Sequence, residues 1–225
     1  MNVIDRFTDY DVLAYLPQGY LVLAATDYIF GTSFVLHSDW KVSEGFLVFF
    51  AAYVAGHLVA NPSSLLFERL AVGKLLMQPS EVLLSRKARS KWLRLIFSDY
   101  YRPLADGLRL AVANKLKLTE DVGGAGEEVF WKAYPIARSD EVAAKRMEKF
   151  LNLYGFCRNT SFVMALTAIA LMTQCGWVFW ILHRAVDPTR LVVAVVLSGL
   201  SFIMFQRYLK FLRLYTLEIF VSASR

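Results

Sequence analysis

The chain has two cysteines and three histidines in 225 residues, and this scarcity removes several kinds of protein at once. Cys157 and Cys175 lack the spacing of metal ligands. One lies at the expected inner entrance of a membrane helix and the other within it, so they do not form a disulfide framework either. Both read as small apolar fillers. His37, His57 and His183 never pair at ligand spacing, and neither a zinc-protease HExxH nor a nucleophile elbow occurs. Gly123–Gly124–Ala125–Gly126 lacks a following Gly-Lys-Ser/Thr and a preceding strand pattern, so Thr119–Glu128 reads as a flexible loop rather than a phosphate cradle. The nearest approach to a reactive cluster, Asp99, Tyr100, Tyr101 and Arg102, reads as a solvated helix end. A non-enzyme without a cofactor is expected.

Formal charge is scarce in four long stretches, Pro17–Leu36, Gly45–Leu65, Thr160–Leu182 and Leu191–Tyr208. Each approaches the roughly 20 apolar residues that a bilayer-spanning helix needs. Hydrophobic residues make up 56% of the chain and aromatics 15%, richer than an average soluble domain. The expected fold class is therefore all-α: a polytopic membrane protein with four transmembrane helices and a helical cytoplasmic segment between spans 2 and 3. The divisions are an N-terminal transmembrane pair (1–65), a cytoplasmic helical segment (66–159), and a C-terminal transmembrane pair with a cytoplasmic tail (160–225). Asp5, Asp9 and Asp11 do not fit a cleavable signal peptide, so the first span is expected to remain as an anchor. Neither a myristoylation glycine nor a prenylation cysteine is expected to add a lipid.

The basic residues orient the chain. Seventeen lysines and arginines fall between Arg69 and Arg158, and the C-terminal segment adds Arg207, Lys210, Arg213 and Arg225. The outer connections hold only Lys41, Arg184 and Arg190. Positive charge marks the cytoplasmic side, which places both termini and the central segment there, with the plasma (inner) membrane as the expected location. The net charge of +6 is then a topology signal. Nucleic acid is not an expected partner, because no basic face with a recognisable binding motif accompanies the charge. Trp40, Trp177 and Trp180 suit an outer aromatic belt.

Within the central segment, Pro62 is placed to kink the second helix as it leaves the bilayer. Leu66, Leu70, Gly73 and Met77 then share one helical face. A helix over 81–97 follows, carrying Arg86, Lys87, Arg89, Lys91 and Arg94 beside an apolar stripe of Leu84, Ala88, Trp92, Leu95 and Ile96. Such a basic amphipathic helix suits anionic head groups at a lipid interface, or packing against neighbouring helices. A third helix is expected over 103–116 with Pro103 in its first turn. A nearly continuous helix over about 140–182 would lead from the cytosol into the third span.

Asp27 and His57 are the candidate intramembrane pair. If Pro17 marks the inner edge, the two lie at similar depth on antiparallel spans, either as a titrating relay or as a buried bond fixing helix pairing. Thr167, Thr173, Gln174, Ser198 and Ser201 add modest polarity. Ala51 with Ala55, Ala52 with Gly56, and Ala194 with Ser198 place small residues four apart, which permits close helix contact within one chain or between copies.

The function expected from these features is a membrane anchor or sensor subunit. It would form a homo-oligomer and recruit or regulate a soluble cytoplasmic partner through its helical stalk. The competing reading is an effector channel or pore-forming protein, such as a cell-defence system would use. A transporter fits less well, since the span pairs show no internal repeat.

Overall fold

Helix α1 (Asp9–Phe30) stops at Gly31, whose φ of +68° is the left-handed conformation that ends a helix at little cost to glycine. The computed structural model describes residues 9–35, 37, 39–85, 90–116, 126–183 and 185–225. All regular elements among them are helical. After α1 come α2 (Val42–Ser64), α3 (Pro79–Ser85), α4 (Lys91–Ile96), α5 (Asp106–Lys115), α6 (Gly126–Ser139), α7 (Glu141–Trp180) and α8 (Pro188–Ala223). Pro62 lies inside α2, and directly after it the winding changes: Leu65–Leu76 continue as a π-helix. Hydrogen bonds reaching five residues instead of four alter which side chains share a face. Val72 and Leu76 are buried there, while Leu66 and Leu70 are exposed, in place of the expected Leu66–Met77 stripe.

Three helices are long and apolar enough to cross a membrane: α2 with its continuation, α7 and α8. The expected first span begins too late and runs too far, since α1 starts at Asp9 and ends at Phe30. Pro17, Gln18, Asp27 and four tyrosines dilute its apolar character, and α1 is not among the three.

The chain forms two units. The first comprises the described residues up to Ser64 together with Gly155–Phe205. Here α1 and α2 form an antiparallel hairpin of very close approach. A Cβ on Gly19 would collide with the Ala52 carbonyl, and one on Gly56 with the Tyr15 carbonyl. Ala52 and Gly56, four apart, are therefore used for contact within the chain. The outward surface of this unit is apolar, with Phe46, Phe50, Val54, Leu58, Val192 and Val195 all exposed.

The second unit comprises Leu65–Tyr154 and Gln206–Arg225. Its core gathers Leu83 and Leu84, Leu104, Val112, Val129, Ala133, Ala137 and Met147 with Ile219, Phe220 and Ala223. The residues expected as a cytoplasmic tail are thus the last turns of α8, packed in a core. Their spacing (219, 220, 223) puts them on one helical face. Arg146 and Glu218, 3.3 Å apart, and Arg213, whose Nη2 donates to the Arg102 carbonyl at 2.8 Å, add polar ties.

Helix α6 is poorly announced by the pattern because Pro135 falls inside it. Gly126 opens it against α3, where a Cβ would come within 2.7 Å of the Glu81 backbone nitrogen. Asp140 caps α7, its Oδ1 accepting from the Val142 and Ala143 amides at 3.0 and 3.3 Å. Pro103 precedes α5 rather than opening it, since the helix starts at Asp106.

Candidate functional site

Arg158, Asn159, Thr160 and Ser161 occupy four consecutive positions of α7, and all are buried. Four successive residues turn through a full circle of the helix, so at this level α7 is enclosed on every side. Their polar groups meet three neighbouring helices. On α1, the Gln18 Nε2 donates to Thr160 Oγ1 at 3.2 Å and to the Phe156 carbonyl at 3.4 Å. On α2, the Ser63 hydroxyl donates to Asn159 Oδ1 at 2.6 Å, and Arg158 Nε donates to the same oxygen at 3.1 Å. On α8, Ser201 and Ser161 exchange bonds, each hydroxyl donating to the other's carbonyl at 2.8 Å. Small serines allow these two backbones to come close enough for that exchange. All four helices of the first unit thus meet in one hydrogen-bonded polar layer.

Burial makes the layer demanding. A buried polar group left without a partner costs about 1–3 kcal/mol, whereas each bond contributes only about 0.5–1.5 kcal/mol net. Gln18 is fully buried, and its Oε1 has no hydrogen-bond partner. The other polar groups of the spans are more self-contained. Thr167, Thr173 and Ser198 return their hydroxyls to carbonyls four residues back, and Gln174 Nε2 reaches the Ile29 carbonyl at 3.4 Å.

The structure does not bring Asp27 and His57 together. The close approaches of Gly19 to Ala52 and Tyr15 to Gly56 set the hairpin register. Eight residues beyond Gly19 lies Asp27, and eight before Ala52 lies Glu44, so Asp27 belongs to the connection end of the hairpin. Its carboxylate accepts from Thr32 Oγ1 at 2.6 Å and from the Val35 amide, holding the chain as it leaves α1. His57 stacks on Tyr15 with ring centroids 4.0 Å apart and meets Tyr53 edge-on at 4.5 Å. Tyr15 and Asp27 are twelve residues apart, about 18 Å along the helix axis. The similar-depth argument placed the inner edge at Pro17, whereas α1 starts eight residues earlier, at Asp9.

Near Asp27, the hairpin connection holds a cavity of about 150 Å³ lined by Ser33, Phe34, His37, Glu44, Leu47 and Val48. His37 Nε2 lies 3.6 Å from Glu44 Oε2 and its ring stacks on Trp40. Among the described residues no three His, Cys, Asp or Glu side chains gather as a metal site.

The expected basic helix over 81–97 is divided. Ser85 ends α3, and Ser90, extended at φ −148° and ψ 145°, caps α4 by accepting from the Trp92 amide. Leu84 is fully buried in the core of its unit, so it shares no stripe with the exposed Trp92, Leu95 and Ile96. Lys91, Trp92 and Arg94 lie on α4 and are exposed; Arg86, Lys87 and Arg89 fall outside the described residues. The cluster expected at a solvated helix end is instead buried in part. Met77, at φ +74°, closes the π-helix, and the orphan carbonyls there accept from two tyrosines. Tyr101 Oη donates to Leu76 at 2.7 Å and Tyr100 Oη to Met77 at 2.8 Å. Burial, reinforced by Tyr208, Tyr101 and Glu81, pushes the Tyr100 phenol well above its usual value.

Asn159 and Ser161 resemble weak helix formers when taken singly, which hides the layer in the sequence. Its signal is four adjacent polar residues within one helix, with polar counterparts in three other apolar stretches. Comparison of the chain with protein-family models, with curated proteins and with solved structures finds no match.

Proposed function

We propose that the protein is a membrane anchor and sensor subunit in which α1 supplies a fourth span beside α2, α7 and α8. In this reading it lies in the plasma (inner) membrane with both termini and the second unit in the cytoplasm. It assembles as a homo-oligomer and recruits or regulates a soluble partner through the helices of that unit. The observation that carries the reading is the continuity of α7 and α8, unbroken helices of 40 and 36 residues. Each supplies buried residues to both units, Ala143 and Ser161 on α7, Ala194 and Phe220 on α8. A helix rises 1.5 Å per residue, so a shift of α7 or α8 at the polar layer is transmitted along a stiff rod into the second unit.

One observation favours a second reading, an effector channel: the unpartnered amide oxygen of buried Gln18 gives the membrane unit an interior polar acceptor. Purification of the tagged protein from native membranes in mild detergent, with mass measurement of the intact complex, separates the two. A stoichiometric soluble companion, with no ion flux after reconstitution in liposomes, is the expected result. A homo-oligomer without a companion that collapses an ion gradient overturns the anchor reading in favour of the channel.

A further inference from the structure

Helix α4 is built contrary to the rest of its unit. Ser90 caps it and gives it a defined start, yet none of its six residues is buried. Trp92 is 74% exposed, Leu95 72% and Ile96 49%. Positions 92, 95 and 96 are neighbours on one helical face, so the three form a contiguous apolar ridge. Lys91 and Arg94 flank it, and the sequence from Arg86 to Arg94 contains five cations and no acid. An apolar ridge flanked by cations matches a surface that is apolar beneath an anionic layer.

We propose that α4 is a lipid-docking element. Trp92, Leu95 and Ile96 enter the head-group boundary of a bilayer, and Lys91 and Arg94 pair with anionic lipid head groups. The indole suits this position because it joins an apolar body to one N–H donor. Lipid is favoured over a soluble acidic protein by attachment: spans in the same chain hold the bilayer at a high effective concentration around α4. This inference rests on the reading that those spans lie in a bilayer.

The test uses the full chain reconstituted in lipid nanodiscs, with an environment-sensitive fluorophore on Trp92→Cys or, separately, Leu95→Cys. Both positions are exposed, so the substitutions spare the core, and the native Cys157 and Cys175 are buried. A label at Val195→Cys, on the apolar exterior of α8, serves as the span control. In discs containing phosphatidylserine, the expected result at 92 and 95 is blue-shifted emission quenched by spin-labelled lipid. Lys91→Gln and Arg94→Gln should each lower the inserted-to-free ratio roughly fivefold. Water-like emission at both positions, with the Val195 label quenched, overturns the docking inference alone. Blue-shifted emission that lipid spin labels do not quench identifies a protein surface as the cover and also overturns it. Equal quenching in neutral and anionic discs overturns the charge-pairing part. Absence of quenching at Val195 overturns the membrane reading beneath it.

Discussion

Both units bury apolar side chains, Val48, Val163 and Leu171 among them in the first, but the first buries more polar groups and shows an apolar surface. The first buries Gln18, Ser63, Asn159, Thr160, Ser161 and Ser201 while exposing Phe46, Phe50, Leu58 and Val195. The second buries Leu83, Leu84, Val112, Val129, Ile219 and Phe220 and carries Glu128, Lys132, Lys145 and Glu141 outside. The same helix α8 serves both: only 11% of its most apolar stretch is buried, whereas Phe220 near its end is fully buried. On the proposed reading, with lipid around the first unit and water around the second, the difference follows from the solvent. Burying apolar area in the second unit removes it from water and is worth roughly 25 cal/mol per Å². In lipid that driving force between helices vanishes, and close backbone packing with interhelical hydrogen bonds must take its place. Gly19, Gly56 and the Ser161–Ser201 exchange supply both.

The sharpest way to break the comparison is to empty the second core. Phe220→Ala should cost about 3–5 kcal/mol, the range for deleting a buried phenylalanine side chain. Limited proteolysis of the detergent-solubilised protein should then cut first within 65–154 and 206–225. Initial cleavage in the first unit instead would show that the two interiors do not fail separately. The matching change in the polar layer is Asn159→Leu. It removes the oxygen that the Ser63 hydroxyl and Arg158 Nε both donate to, while Ser63 keeps its bond to the Ala60 carbonyl, at about 0.5–1.5 kcal/mol for each bond lost. A thermal melt followed by near-ultraviolet circular dichroism should register a lower midpoint. An unchanged midpoint would mean that apolar packing alone holds these helices, and the contrast between the units would shrink to composition.

What the sequence discloses divides along the same line. Apolar length is a local property, so α2, α7 and α8 are legible directly, as is the long run of α7 from its charged first half into its apolar second half. The π-helix after Pro62, the break at Ser90 and the start of α1 are set by local competition that a periodic stripe does not register. The hairpin register depends on two backbone approaches at Gly19 and Gly56, and a depth estimate counted from Pro17 therefore pairs Asp27 with the wrong residue. The polar layer is written across four distant segments, each with one to four polar residues. Only their assembly distinguishes it from scattered hydroxyls such as Thr173 and Ser198, which bond back within their own helix.

The smallest expected effect tests how the second unit handles a buried polar group, a respect in which it resembles the first. Tyr100 is 3% exposed and donates its phenolic proton to the Met77 carbonyl, satisfying the end of the π-helix. Tyr100→Phe should cost about 0.5–1.5 kcal/mol at neutral pH, the net worth of one such bond. Alkaline solution supplies the further signature. Burial raises the phenol's folded value above the ordinary 10, so its contribution is fully present below pH 10. Above pH 10 the unfolded chain loses this proton while the folded protein retains it, and stability falls until the folded value is passed. The slope from this one group is at most about 1.4 kcal/mol per pH unit. Thermal midpoints from pH 8 to 11 should therefore show wild type and Tyr100→Phe converging as pH rises, although other tyrosines lower both curves. Parallel curves would mean that the phenol is solvated, and the carbonyl at Met77 would then have to be capped by water rather than by protein.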